Sequence, residues 1–208
     1  MAASMFPINH STYDVFFSGD CIHTTVTHDP TVVSQWISEV KSMYVYWPGQ
    51  LIVGLDVEWR PSYTRGIQNP PATLQLCVGS RCLIFQLIHS PGIPTSLAGF
   101  LSDPNHTFVG VGINDDLEKL QETHGIGFHT YWVDLREPAA NICGRKNLRN
   151  SGLKELARVV LGKEMEKPRE VTMSGWDERW LSADQILYAC IDAYVCFELG
   201  MALNGGHF

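Results

Sequence analysis

Leu51-Ile52-Val53-Gly54-Leu55-Asp56-Val57-Glu58-Trp59 is an apolar run that ends in two carboxylates. A short apolar stretch bounded by a loop reads as a buried strand. Side chains alternate faces along a strand, so Asp56 and Glu58, two residues apart, point the same way. Two like charges on one face of a core strand repel each other and are costly to bury. A positive partner has to neutralise them, and a divalent metal is the natural candidate. An isolated Asp-x-Glu more often marks a solvated strand end, and the rest of the chain decides between the two.

On the N-terminal side, Tyr13 to Phe17 and Cys21 to Thr27 flank Ser18-Gly19-Asp20 and read as a hairpin. Asp29-Pro30 opens a helix through Trp36, Ile37 and Val40 that is expected to end near Trp47-Pro48-Gly49. On the other side, residues 60–71, rich in Pro, Gly and Asn, read as a loop. Ala72 to Val78 and Arg81 to Leu87 form a second hairpin across Gly79-Ser80. A helix from about Thr95 to Leu101, capped by Thr95 or its neighbour, precedes a short strand at His106 to Val111. Asn114 to Thr123 is helical in pattern, Trp132 to Leu135 is a short strand, and Gly152 to Leu161 is helical again. Residues 162–175 read as polar and irregular, and Ser182 caps a long final helix to Leu203. Strands first, then alternation with helices, predict an α/β domain with a mixed central sheet flanked by helices.

Composition sets the frame. A chain of 208 residues suits one domain with a sizeable core, the hairpin and helix of residues 1–49 belonging to the same domain as residues 50–203. No run approaches eighteen apolar residues and the start lacks a signal-peptide pattern, so the expectation is no membrane partner and a cytoplasmic protein, with the nucleus also open. The six cysteines form no C-x-x-C pair and read as small buried hydrophobes. The eight histidines show no zinc-like spacing. A net charge of −7 argues against strong nonspecific binding to duplex nucleic acid. Over half of the Lys and Arg nevertheless fall between Arg145 and Arg169 (Arg145, Lys146, Arg149, Lys154, Arg158, Lys163, Lys167, Arg169), either a solvated face or a phosphate-binding rim.

Further acids join the first pair. Phe108-Val109-Gly110-Val111-Gly112-Ile113-Asn114-Asp115-Asp116-Leu117 runs from a strand into a helix start, where either Asp115 or Asp116 could be a simple helix-terminal charge. In the final helix Tyr188 and Asp192 are four apart and share one face, and the apolar surroundings (Ile186, Leu187, Val195, Leu199) imply that Asp192 needs a partner.

Together these features resemble the DEDD superfamily of 3′–5′ exonucleases, in particular the Werner-syndrome-type exonuclease domain, which lies near ribonuclease D. The first motif is Leu55-Asp56-Val57-Glu58-Trp59, the second Val111 to Asp116 with its ligand at Asp116, and the third Tyr188 through Asp192. Ala72 to Cys77, Gly152 to Leu156, Leu161 to Lys163, Ser174-Gly175-Trp176 and Trp180 to Gln185 add supporting likeness across roughly residues 50–200. Leu187 stands where the histidine branch of the superfamily carries His, and Tyr188 marks the tyrosine branch.

The resemblance implies a ribonuclease H-like fold and two Mg²⁺ or Mn²⁺ ions held by Asp56, Glu58, Asp116 and Asp192. Tyr188 would orient the nucleophilic water and the product would be a nucleoside 5′-monophosphate. Trp59 would stack on the terminal base, and Lys154 and Lys163 are phosphate-contact candidates. The small stand-alone form resembles the plant group of single-strand exonucleases, some of which are associated with RNA silencing complexes. This resemblance implies single-stranded nucleic acid as substrate, RNA favoured over DNA, a homo-oligomer or ring, and a silencing-complex protein as partner. The rival expectations are a Werner-like DNA exonuclease in repair, a noncatalytic nucleic-acid-binding module and an RNase H-type endonuclease.

Overall fold

A computed structural model describes residues 10–44, 50–64, 66 and 68–204. Strand β1 (His10–Phe17) turns through Ser18-Gly19 into β2 (Asp20–Thr27), and the two pair antiparallel, Asp14 opposite His23. Helix α1 (Pro30–Tyr44) follows; its expected end at residues 47–49 lies outside the described residues. Next come β3 (Leu51–Glu58), β4 (Thr73–Val78), β5 (Arg81–Phe85), α2 (Thr95–Leu101), β6 (His106–Gly110), α3 (Ile113–His124) and β7 (Trp132–Asp134). The remaining helices are α4 (Arg136–Ile142), α5 (Leu153–Leu156), α6 (Arg169–Thr172) and α7 (Ala183–Leu203).

The strands form one mixed sheet in the order β1-β2-β5-β4-β3-β6-β7, so β3 lies inside the sheet and the N-terminal hairpin forms its edge. The two hairpins are joined by a parallel pairing of β2 with β5, and β3, β6 and β7 run parallel. This is the expected α/β architecture: a mixed sheet flanked by helices, with the ribonuclease H-like fold of the exonuclease domains it resembles.

Burial alternates along β3 as its sequence implies. Val53, Leu55 and Val57 enter an apolar cluster with Val33, Trp36, Leu97, Phe100, Leu117 and Leu120 from α1, α2 and α3. Ile52 faces the opposite cluster, built around α7 with Leu135, Ala139, Leu148, Leu156 and Trp176. Gly54, Asp56 and Glu58 share the parity of Ile52 and therefore point to the α7 layer.

Ser182 caps α7 with its hydroxyl on the Gln185 N–H, while the Gln185 side chain returns to the Ser182 N–H, a reciprocal capping box. Among the described helices only α7 is long and apolar enough to cross a membrane, a stretch that the sequence reading passed over. It packs on the sheet with 67% of that stretch buried, the position of a core helix.

Several boundaries differ from expectation. Pro94, not a hydroxyl residue, occupies the N-cap of α2 and offers no side-chain bond. The helix expected over Gly152 to Leu161 is a single α turn followed by a π turn at Ala157–Leu161, which Gly162 ends at φ 65°. The segment read as irregular contains α6, and α4 and a 3₁₀ turn at Lys146–Asn150 were not anticipated. All six cysteines are free, with Cys77, Cys82, Cys190 and Cys196 buried in the core.

Candidate active site

The site begins where β3 and α7 touch. A Cβ on Gly54 would lie 2.0 Å from the Ala193 carbonyl oxygen and 2.6 Å from the Phe197 nitrogen, so only glycine lets the two backbones meet there. One strand step beyond this contact is Asp56, and one helix residue before Ala193 is Asp192. Carboxylate oxygens of Asp56, Glu58 and Asp192 consequently lie within 4.8 Å of one another. Asp192 is 2% exposed. Asp56 Oδ2 is buried with no hydrogen-bond partner, an orphan acceptor on a member of the group.

Asp116 comes from a third direction. Gly112, at φ 78°, turns the chain from β6 into α3, a left-handed conformation that glycine adopts without penalty. The Asp134 carboxylate, paired with Arg136, accepts the Gly112 N–H at 3.0 Å and fixes this turn. Asp116 is buried and Asp115 exposed, which separates the two acids that the sequence left open. Asp116 contributes to the field on both Asp56 and Glu58 but stands outside the tight group of three.

Burial raises all four carboxyls above their ordinary range, and repulsion from neighbouring acids adds to it at Asp56, Glu58 and Asp116. Burial pushes Asp56 well up, reinforced by the charges of Asp192, Glu58 and Asp116. Burial and then Asp192 raise Glu58 to about 8, and burial raises Asp116 to about 7 against the pull of Lys119. Asp192 is raised by burial and partly relieved by Lys167 and Tyr188. Lys167 donates to Asp192 Oδ2 at 2.5 Å, with its ammonium 5.2 Å from the Tyr188 ring centroid. Tyr188 itself is 6% exposed and packs on buried Trp176, ring centroids 5.9 Å apart.

A group of oxygen donors with an orphan oxygen and more negative than positive charge fits hard divalent cations such as Mg²⁺ or Mn²⁺. The rim is pinned by side chains from distant segments. Arg60, just past β3, pairs with Asp177 and Glu178, and Gln185 bonds Ser174 Oγ and the Gly175 carbonyl. The segment leading into α7 is thereby tied to β3.

Residues 25–205 match the sequence pattern of a family described as 3′–5′ exonuclease. The chain belongs to that family. Among curated proteins, this exonuclease domain is 36% identical over 162 residues to a 3′–5′ exonuclease of Arabidopsis thaliana, covering 75% of this chain and 54% of that protein. It is 33% identical over 144 residues to the bifunctional 3′–5′ exonuclease/ATP-dependent helicase WRN of Mus musculus, covering 69% of this chain and 10% of the other. The chain thus spans about half, or much less, of the length of these relatives. Among solved structures it is similar to the EXD2 exonuclease domain soaked in Mn and Mg (25% identity, TM-score 0.50, 88% and 89% of the two chains). The Aedes aegypti Nibbler exonuclease domain shares the fold at TM-score 0.68, with 19% identity and 86% of each chain covered.

The fold of this domain brings Asp56, Glu58, Asp192 and Tyr188 together, with Asp116 alongside. Three other expected site residues fare differently. Trp59 is partly buried at the end of β3 with the Lys119 ammonium 4.4 Å from its ring centroid, so a cation already covers the ring. Lys163 is drawn away: it bonds Asp20 at 2.9 Å and Glu198 at 2.6 Å and ties the N-terminal hairpin to α7. Lys154 is exposed beside Glu166 at 3.7 Å. The basic stretch is largely occupied by internal pairs, Arg149 with Glu137 and Arg158 with Glu155 among them, and does not read as a phosphate rim. Lys167 is paired as well, with Asp192, and through that pair its side chain enters the site. Sequence reasoning placed it in the basic run and gave it no role. Lys119 one turn after Asp116 and Gln75 opposite Asp56 in register were also passed over.

Proposed function

We propose that this chain hydrolyses single-stranded nucleic acid from the 3′ end to nucleoside 5′-monophosphates, RNA in preference to DNA. The observation that carries the reading is the Asp56–Glu58–Asp192 group, half-buried at the two strand acids and buried at Asp192, with its orphan Asp56 oxygen and with Tyr188 on the helix face of Asp192. Asp56, Glu58 and Asp192, with Asp116 alongside, would hold two Mg²⁺ or Mn²⁺ ions. When bound, such ions supply Lewis-acid stabilisation of the phosphate and lower the pKa of coordinated water.

Tyr188 holds its proton. Burial and the Asp192 charge raise its phenol above the ordinary value, so it orients the attacking water by a hydrogen bond and does not act as a base. The 3′-oxygen of the preceding nucleotide departs. Lys119, held over the Trp59 ring, offers a cation to the terminal nucleotide.

The net charge of −7 supports short or single-stranded substrates over long duplex. The likeness of the motifs to plant single-strand exonucleases supports RNA. It also supports turnover of small RNAs in the cytoplasm, with a second copy of the chain and a silencing-complex protein as partners. Identity to the mouse exonuclease/helicase supports a second reading, trimming of DNA 3′ ends in repair.

The test is a time course on matched 5′-labelled single-stranded RNA and DNA with Mg²⁺, Mn²⁺ or EDTA, alongside Asp56→Asn. The expected result is a metal-dependent ladder shortening from the 3′ end, faster on RNA and abolished by the substitution. A faster ladder on DNA favours the second reading. No ladder on either strand, with binding intact, overturns the enzyme.

A further inference from the structure

Lys167 is placed where a metal-binding carboxylate is also needed. Its ammonium lies 2.5 Å from Asp192 Oδ2, and Asp192 belongs to the carboxylate trio with Asp56 and Glu58. Asp192 is 2% exposed, so Lys167 is an ion partner built into the interior end of the cluster, not a rim charge. The partner is delivered by a separate element: Lys167 precedes Pro168, which opens α6, whereas Asp192 lies mid-way along α7. About one third of the Lys167 side chain remains exposed, so the residue reaches from solvent to the buried Asp192.

An ammonium and a divalent ion cannot both sit at contact distance on one carboxylate oxygen without strong mutual repulsion. We propose that Lys167 is a positioning residue that competes with the divalent metal for Asp192, acting as a substitute cation that must release Oδ2 before the metal is fully bound. The inference rests on the metal-dependent reading above. It predicts that Lys167 weakens the metal affinity of the free protein and that removing its charge tightens it.

The test is calorimetric titration of the whole chain with Mn²⁺, without nucleic acid, comparing wild type, Lys167→Met, Lys167→Gln, Lys167→Arg, Lys163→Met and Asp56→Asn. Lys167→Met and Lys167→Gln are expected to bind Mn²⁺ at least about fivefold more tightly and to show a larger Mn²⁺-induced rise in melting temperature. Lys167→Arg keeps the competing charge and is expected to stay near wild type, as is Lys163→Met, whose charge serves Asp20 and Glu198. Unchanged or weaker Mn²⁺ binding by both neutral variants overturns the proposal. If the neutral variants fold only with Mn²⁺, the metal is replacing the missing cation, which supports it; if they fail to fold with Mn²⁺ as well, it is overturned. Wild type that binds no more Mn²⁺ than Asp56→Asn removes the metal site itself, a separate failure from that of Lys167.

Discussion

Gly54→Ala tests how the site is assembled. The added methyl would lie 2.0 Å from the Ala193 carbonyl oxygen and 2.6 Å from the Phe197 nitrogen, both backbone atoms that no rotamer change can move. Cβ atoms essentially never approach closer than 3.0 Å, so α7 and β3 must separate by at least about 1 Å. Overpacking of this kind costs about 1–3 kcal/mol, and rigid neighbours on both sides place this case near 3 kcal/mol. For a chain of this size the melting temperature should fall by roughly 6–12 °C. The same movement parts Asp56 from Asp192, and a displacement near 1 Å costs about 10²-fold in rate. Thermal melts and single-turnover hydrolysis of a labelled oligonucleotide measure the two effects. Gly200→Ala is the comparison on the same helix: its methyl meets the γ-methyls of Val109 at 2.8 Å and Ile52 at 2.9 Å, side-chain atoms that yield more readily than a carbonyl oxygen or a backbone nitrogen. Gly54→Ala melting within about 2 °C of wild type, or losing no more activity than Gly200→Ala, would refute the reasoning.

Two further predictions concern charge and capping. Glu58 in the folded protein titrates at about 8 and Asp116 at about 7, above their unfolded values. The native state therefore binds more protons than the unfolded chain between about pH 4.5 and 8, and stability in EDTA falls as pH rises through that window. Glu58→Gln should flatten this decline and Mn²⁺ should oppose it; comparing wild type with the variant isolates the site from His106, whose lowered pKa acts in the opposite sense. A variant with the same pH slope as wild type in EDTA would count against the assignment. Ser182→Ala removes the N-cap of α7 and should cost about 1 kcal/mol, read as a melting-temperature drop of roughly 2–4 °C. No drop would mean that Gln185, through Ser174 and Gly175, holds the helix start without the cap.

Much of this fold was legible because its decisive signals are local. The β3 run, the alternation that sends Asp56 and Glu58 to one face, and the Ser182-initiated helix bearing Tyr188 and Asp192 all follow from residue spacing. Both hairpins were visible in their turns, but nothing in either sequence announces that β2 joins β5 in parallel, because that pairing links segments more than fifty residues apart. Helix α4 and the turn after it escaped because Ala139, Ala140 and Leu148 give too faint an apolar rhythm. In the basic run Lys163 reads as a phosphate contact and Lys167 is given no role. Only the folded chain separates them, sending one to Glu198 and the other, four residues later, to Asp192. A lysine's role is decided by the anion it meets, and that anion is supplied by a distant segment.

The division of the carboxylates between β3 and α7 has a consequence in time. A growing polypeptide emerges from the amino end, and Glu58 precedes Asp192 by 134 positions. At about 5–20 residues per second, roughly 7–27 s separate the synthesis of the two. Through that interval the strand acids exist without their helical counterpart, and no hydrolytic centre can form. The last of the described elements to be made is also the one that completes the carboxylate group, so that group comes together only when α7 closes onto the sheet.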